Sequence, residues 1–336
     1  MFIINVNISF LHSIVKLLFQ FVVIHFGIVL ANSPDSFEKI TFNSANPFSF
    51  YHIITDLNSQ KPHESYGILR FPESLEKDDT IPLIMGVNGS KNWADHHLEY
   101  LSAYREMGFA TFEIQSFNSR SVSSTVGEQV SVTTAMMILD VYMALDKLSQ
   151  DKRIDINNVA ITGWSLGGGV ALFSAWMPLI EAIGSEYRFK AHLAIYPPCL
   201  VEMDLIEFSD APIHILIGEE DDWVSADACL ELTKALKDEA VNIDITVYPD
   251  AHHGFDRNGP LRIEKKGYST INCSFKMRSD GAILMNIFDI PMVTPFRQKL
   301  ALACCAGRGT TIGGNPIARE ASFEFSGIFM NKHLKN

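Results

Sequence analysis

One serine, a run of carboxylates and a pair of histidines stand out along this chain because of what they could do together. Ser165 lies in Gly163-Trp164-Ser165-Leu166-Gly167, a G-x-S-x-G pattern entered through Val159-Ala160-Ile161-Thr162 and left through Val170-Ala171-Leu172-Phe173. This order of residues predicts an apolar strand, a sharp turn and a helix, the context of a nucleophile elbow. The glycines have a chemical purpose, because a serine held out of a strained turn leaves no room for side chains two positions to either side. A bare pattern of this kind arises by chance in roughly one chain in ten of this length, so the strand before it and the helix after it carry the assignment.

A serine hydroxyl is a weak nucleophile until a base takes its proton, and an imidazole base needs a carboxylate to fix its tautomer. Where an elbow presents the serine, the chain order is Ser, then Asp or Glu, then His. Downstream, Ile213-His214-Ile215-Leu216-Ile217 runs into Gly218-Glu219-Glu220-Asp221-Asp222-Trp223-Val224, and the run 243–248 ends in Pro249-Asp250-Ala251-His252-His253-Gly254-Phe255. Both loops follow apolar strands and open at the carboxyl edge of a sheet, beside the elbow. Asp221 or Asp222 can serve as the acid and His252 or His253 as the base. An oxyanion further needs two backbone donors. Leu166 N–H supplies one, and Ser90 N–H in Asn88-Gly89-Ser90 is the candidate for the second, with Gly89 beside it.

The elements that must hold these groups read as α/β. Runs at 66–71, 81–87, 110–114, 159–162, 192–196, 213–217 and 243–248 are strand candidates, several of them unbroken apolar stretches of the kind that a buried parallel sheet contains. Between them, Ala135, Ile138, Leu139, Tyr142 and Leu145 make one apolar helix face, and 93–107 and 226–239 behave alike. The expectation is a mostly parallel central sheet flanked by helices on both faces, formed by a single domain over 32–336, with an irregular insertion at about 257–310 whose structure the pattern does not give.

Composition narrows the classes. The chain has 336 residues, 47% hydrophobic and 20% charged, enough to bury a large core. A formal charge of −12 argues against a nucleic-acid surface, which needs clustered Lys and Arg. Residues 1–31 have no acidic side chain and one basic one, Lys16, and Val29-Leu30-Ala31 precedes a polar stretch, so a cleaved secretory signal is expected. The alternative is an uncleaved anchor, the one route to a membrane. Either way the catalytic part is exported, periplasmic or secreted. Five cysteines then permit disulfides with one thiol left over, and Cys199–Cys229 and Cys273–Cys305 are the pairs expected, against a role as buried thiols. No C-x-x-C pair or zinc spacing occurs, so no metal site is read. His96 and His97 fall on an amphipathic helix and are expected to pack or face solvent rather than bind a metal, no acidic partner being expected close to them in the fold.

Taken together, Gly163-Trp-Ser-Leu-Gly-Gly168, Gly218-Glu-Glu-Asp-Asp-Trp-Val224 and Tyr248-Pro-Asp-Ala-His-His-Gly-Phe255 resemble the elbow, acid and histidine segments of the dienelactone hydrolase family of α/β-hydrolases. Ser116-Phe-Asn-Ser-Arg120 and Arg308-Gly-Thr-Thr-Ile-Gly-Gly-Asn-Pro316 resemble segments of an exported subgroup. The resemblance implies Asp221, the fourth position of G-x-x-D, as acid and His253, directly before Gly-Phe, as base, leaving Asp222, His252, Glu219 and Glu220 to other roles. Two departures matter. The best-known members resemble this chain in layout but carry a cysteine nucleophile where Ser165 stands, and Asn88 occupies the place where related hydrolases usually carry His-Gly.

Serine with an acid and a histidine suits a small-molecule carboxylic ester or lactone cleaved through an acyl-enzyme, with no cofactor. Trp164, Trp223 and Tyr196 are candidates for lining the acyl pocket, against an equally ordinary place in the core. The competing readings are a peptidase or acyltransferase on the same scaffold, and a non-catalytic binding module.

Overall fold

The computed structural model describes residues 37–76, 79–286 and 288–335, so the expected signal segment lies outside the described residues. Eight strands form the main sheet: β1 (Glu38–Ala45), β2 (Pro62–Arg70), β3 (Ile81–Val87), β4 (Ala110–Ile114), β5 (Ile154–Trp164), β6 (Ala191–Ile195), β8 (Ile213–Gly218) and β9 (Ile243–Tyr248). A ninth, β7 (Val201–Met203), lies outside it. The order is β1-β2-β4-β3-β5-β6-β8-β9. β1 and β2 run antiparallel to their neighbours, whereas β4, β3, β5, β6, β8 and β9 are parallel. All seven strands expected from the sequence are present. β1 escaped notice because it is an edge strand in which only Phe42 is buried, so it carries little apolar signal.

Strands β4 and β6 are buried throughout, as the apolar runs required, and two groups of helices cover the sheet. One comprises α4 (Thr134–Leu148), packed across β1, β2 and β5, and α5 (Leu166–Phe173), which packs against α4 and the strands beside it. The other comprises α2 (Asp95–Glu106), lying on β3 and β4, and the C-terminal α9 (Pro316–Leu334), lying on β5 and β6 and against α2. Shorter helices α1 (Phe50–Asp56), α3 (Ser116–Ser119) and α6 (Met177–Ile183), with α7 (Ala226–Asp238) beside β8 and β9, complete this part.

The Ser116-to-Arg120 segment has a structural task. Asp140, wholly buried in the middle of α4, accepts two hydrogen bonds from the Arg120 guanidinium (2.7 and 3.1 Å) and one each from Ser116 Oγ and Ser44 Oγ (2.6 Å). A buried carboxylate is tolerable only when paired and bonded in this way, and here the pairing ties β1, α3 and α4 together.

Residues 257–310 contain more order than their sequence suggests. β10 (Arg262–Ser269) pairs with β13 (Gly307–Ile312), while β11 (Phe275–Met277) joins β12 (Ile283–Leu284) and runs parallel to β7. Helix α8 (Pro295–Cys305) follows, and Cys273, Phe275, Met285, Met292 and Ala301 form a small apolar cluster of their own. The Cys273–Cys305 disulfide closes this cluster, and Cys199–Cys229 ties the segment between β6 and β7 to α7; both match the expected pairs. Cys304 is the free, exposed thiol.

Candidate active site

The elbow forms where β5 gives way to α5. Ser165 has φ 56° and ψ −115°, a backbone region that non-glycine residues enter only when their surroundings force them to. The glycines explain what forces it. A Cβ on Gly163 would stand 2.1 Å from the Gly167 carbonyl oxygen, and a Cβ on Gly167 would stand 2.1 Å from the carbonyl oxygen of Val87 at the end of β3. Ser165 N–H donates to Ile195 O (2.9 Å), fixing the turn against β6. The hydroxyl is thereby carried to the carboxyl edge at the centre of the sheet.

Two loops reach it from β8 and β9. His253 Nε2 lies 3.0 Å from Ser165 Oγ, and His253 Nδ1 lies 2.8 Å from Asp221 Oδ2. The other oxygen of Asp221 accepts the backbone N–H groups of Trp223 and Val224, both at 2.9 Å. An ionised carboxylate only accepts, so the short contact assigns the proton to Nδ1 and leaves the Nε2 lone pair facing the serine hydroxyl. The His253 ring is held between Tyr196 (ring centroids 4.6 Å apart) and Trp223 (4.8 Å). Asp221 and His253 are buried and Ser165 is half-buried.

The alternatives fall elsewhere. Asp222 accepts Thr311 N–H (2.7 Å) and Oγ1–H (2.8 Å), binding the acid loop to β13. β13 in turn supports the histidine loop, since Gly313 N–H donates to His253 O (3.2 Å) and Asn315 N–H to Phe255 O (2.9 Å). The Arg308-to-Pro316 segment is therefore the buttress of that loop. Glu219 and Glu220 are exposed, and the ring that reaches Ser165 is that of His253 and not that of its neighbour His252.

Leu166 is the first residue of α5, where helix N–H groups have no intrahelical acceptor. The loop after β3 comes up against the same serine: a Cβ on Gly89 would lie 3.4 Å from Ser165 Cβ, and Ser90 lines the space above Ser165 together with Leu166. Asn88 is buried and donates from Nδ2 to Gly89 O (2.9 Å), so it braces the loop from within.

Two spaces meet at Ser165. The larger, about 230 Å³, is walled by Phe48, Phe50, Phe173, Val224, Phe275 and Leu302 among others. The smaller, about 20 Å³, lies on the histidine side between Ser165, His253, Gly254 and Arg257. Trp223 borders both, whereas Trp164 and Tyr196 face only the smaller.

A buried polar layer that the sequence did not reveal lies beneath. Tyr196 Oη donates to Asp256 Oδ1 (2.9 Å), and His96 Nε2 stands 3.7 Å from the same oxygen. His96 thus does have an acidic partner, supplied from 160 residues further along, which corrects the expectation that none stands close to it. Desolvation pushes the Asp256 carboxyl up to about 6 and holds His96 and His97 well below the usual imidazole range, hence neutral. His97 stacks on Trp164 (4.5 Å), so both histidines pack in the interior. The only sign in the sequence was an aspartate directly after Gly254-Phe255. Among the described residues no cluster of side chains could hold a metal ion.

A parallel sheet flanked by helices, with a serine at the strand-to-helix turn and acid and histidine in the loops that follow, defines the α/β-hydrolase class. Residues 104–270 match the sequence model of the dienelactone hydrolase family, a little under half of the chain. It is similar to a probable 2-oxo-3-(5-oxofuran-2-ylidene)propanoate lactonase of a Bradyrhizobium species, 26% identical over 38% of this chain and 53% of the relative. It is also similar to an uncharacterized peptidase of Bacillus subtilis, 23% identical over 62% of this chain and 36% of the relative. The chain thus spans about half the length of the first of these curated relatives and about a third of the second. Among solved structures, esterase 2 of Thermogutta terrifontis aligns over 57% of this chain and 80% of its own, with 16% identity and a TM-score of 0.47.

Proposed function

We propose that this protein is a serine hydrolase of carboxylic esters or lactones in which Ser165, His253 and Asp221 are the catalytic triad. The observation that carries the reading is the unbroken hydrogen-bonded row from Ser165 Oγ through His253 to Asp221, with the serine on a strained turn. His253 Nε2 takes the hydroxyl proton as Ser165 Oγ bonds to the acyl carbon, and the carbonyl electrons move onto oxygen. The amides of Leu166 and Ser90 receive that oxyanion. Collapse breaks the bond to the leaving alkoxide, which departs with the proton from His253. A water then repeats the sequence on the acyl-enzyme, releasing the acid and restoring the serine. The chemistry draws on side chains and backbone alone.

Hydrolysis of p-nitrophenyl acetate by the wild-type protein and by Ser165→Ala tests this directly, since equal rates would remove the serine from the mechanism. Amide cleavage is a second reading, supported by the likeness to the Bacillus subtilis peptidase. A turnover ratio favouring peptide amides over matched esters would prefer it. Export is part of the proposal: two disulfides suit an oxidising compartment, and among the described residues no helix is long and apolar enough to cross a membrane.

A further inference from the structure

The two spaces at Ser165 differ in a way that assigns the two halves of an ester. The leaving oxygen must receive its proton from His253, so it departs on the side where His253 forms the wall. That side is the smaller space, about 20 Å³, which opens outward beside Lys91 and Arg257, so a leaving group larger than it extends towards solvent. The acyl chain must extend the other way, past Leu166 and Gly169 along α5, into the space of about 230 Å³.

No Asp, Glu, Lys, Arg or His lines that larger space. Its polar side chains are uncharged, Thr133, Thr134, Gln129 and Gln298 among them, and its surface is mostly apolar, with Phe48, Phe50, Phe173, Phe275, Met292 and Leu302 in its walls. A carboxylate placed there would lose its hydration and meet no cation, which is costly. At about 30 Å³ for each methylene-sized group, the share of a water molecule in the liquid, 230 Å³ holds roughly eight such groups.

We propose that the acyl pocket selects a neutral, apolar acyl group of about six to eight carbons and rejects an acyl group that ends in a carboxylate. This rests on Ser165 as nucleophile. Tyr268, Phe275, Ile283, Met292 and Leu302, all from 257–310, line this space, so the segment whose sequence shows no period shapes the pocket for the acid released.

The test is a series of p-nitrophenyl esters, from acetate through octanoate to dodecanoate, with the glutarate monoester as the charged counterpart of hexanoate, all on the full chain. Each methylene buried is expected to raise kcat/KM about fourfold until the pocket is full, with a maximum at hexanoate to octanoate, a fall by dodecanoate, and glutarate at least tenfold slower than hexanoate. Leu302→Trp should move the maximum to a shorter chain. Labelling of Ser165 by a fluorophosphonate, mapped by mass spectrometry, reports the nucleophile and the folded site independently of chain length. A flat series, or glutarate as good as hexanoate, with Ser165 still labelled overturns the pocket assignment and leaves the nucleophile standing. Failure of wild-type protein both to label at Ser165 and to cleave any ester overturns the underlying reading, and the pocket assignment with it.

Discussion

Asp222 gives both of its carboxylate oxygens to Thr311, one residue away from the carboxylate that holds His253. Adjacent residues of one loop therefore have separable roles. Asp221→Asn preserves the shape but donates where a carboxylate accepts, favouring the wrong tautomer of His253, and is expected to lower kcat by about 10³–10⁴-fold at unchanged thermal stability. Asp222→Asn should instead cost about 1–3 kcal/mol of stability through the lost bonds to Thr311 and change kcat far less. Steady-state kinetics beside thermal melts of the two variants check this; a larger kcat loss for Asp222→Asn would exchange their roles.

Ser165→Ala should reduce kcat/KM for a good ester by about 10⁴-fold or more, because the remaining triad members have nothing to activate. The measurement is ester hydrolysis with mass-spectrometric detection of the acyl-enzyme, which the variant should not form.

Gly163→Ala and Gly167→Ala each put a Cβ 2.1 Å from a carbonyl oxygen of rigid backbone. The turn must open to accept it, at a cost of about 3 kcal/mol or more. Melting temperature and fluorophosphonate labelling should fall together; a variant that melts like wild type would show the elbow to be looser than these contacts require.

Burial raises the Asp256 carboxyl to about 6 from an ordinary value of 3.8. The folded state then binds the proton more tightly than the unfolded chain, so this residue's contribution to stability declines as pH rises from about 4 to about 6, by about 3 kcal/mol. Asp256→Asn removes that dependence. Relative to wild type, the variant should gain melting temperature between pH 4 and pH 7, and a constant difference across that window would refute the assignment.

Cys273→Ser with Cys305→Ser frees the segment that walls the acyl pocket and should cost about 2–4 kcal/mol. Chain-length discrimination among esters should flatten while Ser165 remains reactive to fluorophosphonate, because the triad stands on other elements. Retained discrimination would show that the apolar cluster alone fixes the wall.

The three side chains that the structure brings into one hydrogen-bonded row, Ser165, His253 and Asp221, could be singled out in sequence because each follows an apolar strand and sits in a loop with little freedom. Choosing Asp221 over Asp222 was not possible from spacing, since what separates them is a contact with Thr311, 89 residues away. Helix α9 was missed for a physical reason: its buried face is Ala318, Ser322 and Ser326 before Phe329 and Met330, small residues that let it approach the sheet but leave no apolar period. Tyr100 Oη bonds Ser322 Oγ there at 2.7 Å. The pocket was illegible for a different cause, as its walls gather from Phe48 to Leu302 and owe their places to two disulfides and to short strands whose partners are distant in the chain.

Ser165, Asp221 and His253 stand at the ends of strands whose positions the whole core dictates, whereas the chamber beside them is completed by an excursion stapled through Cys273 and Cys305. Substitutions among those some fifty residues can redraw the chamber while leaving the hydrogen-bonded row from Ser165 to Asp221 in place, so shape and reactivity can vary separately.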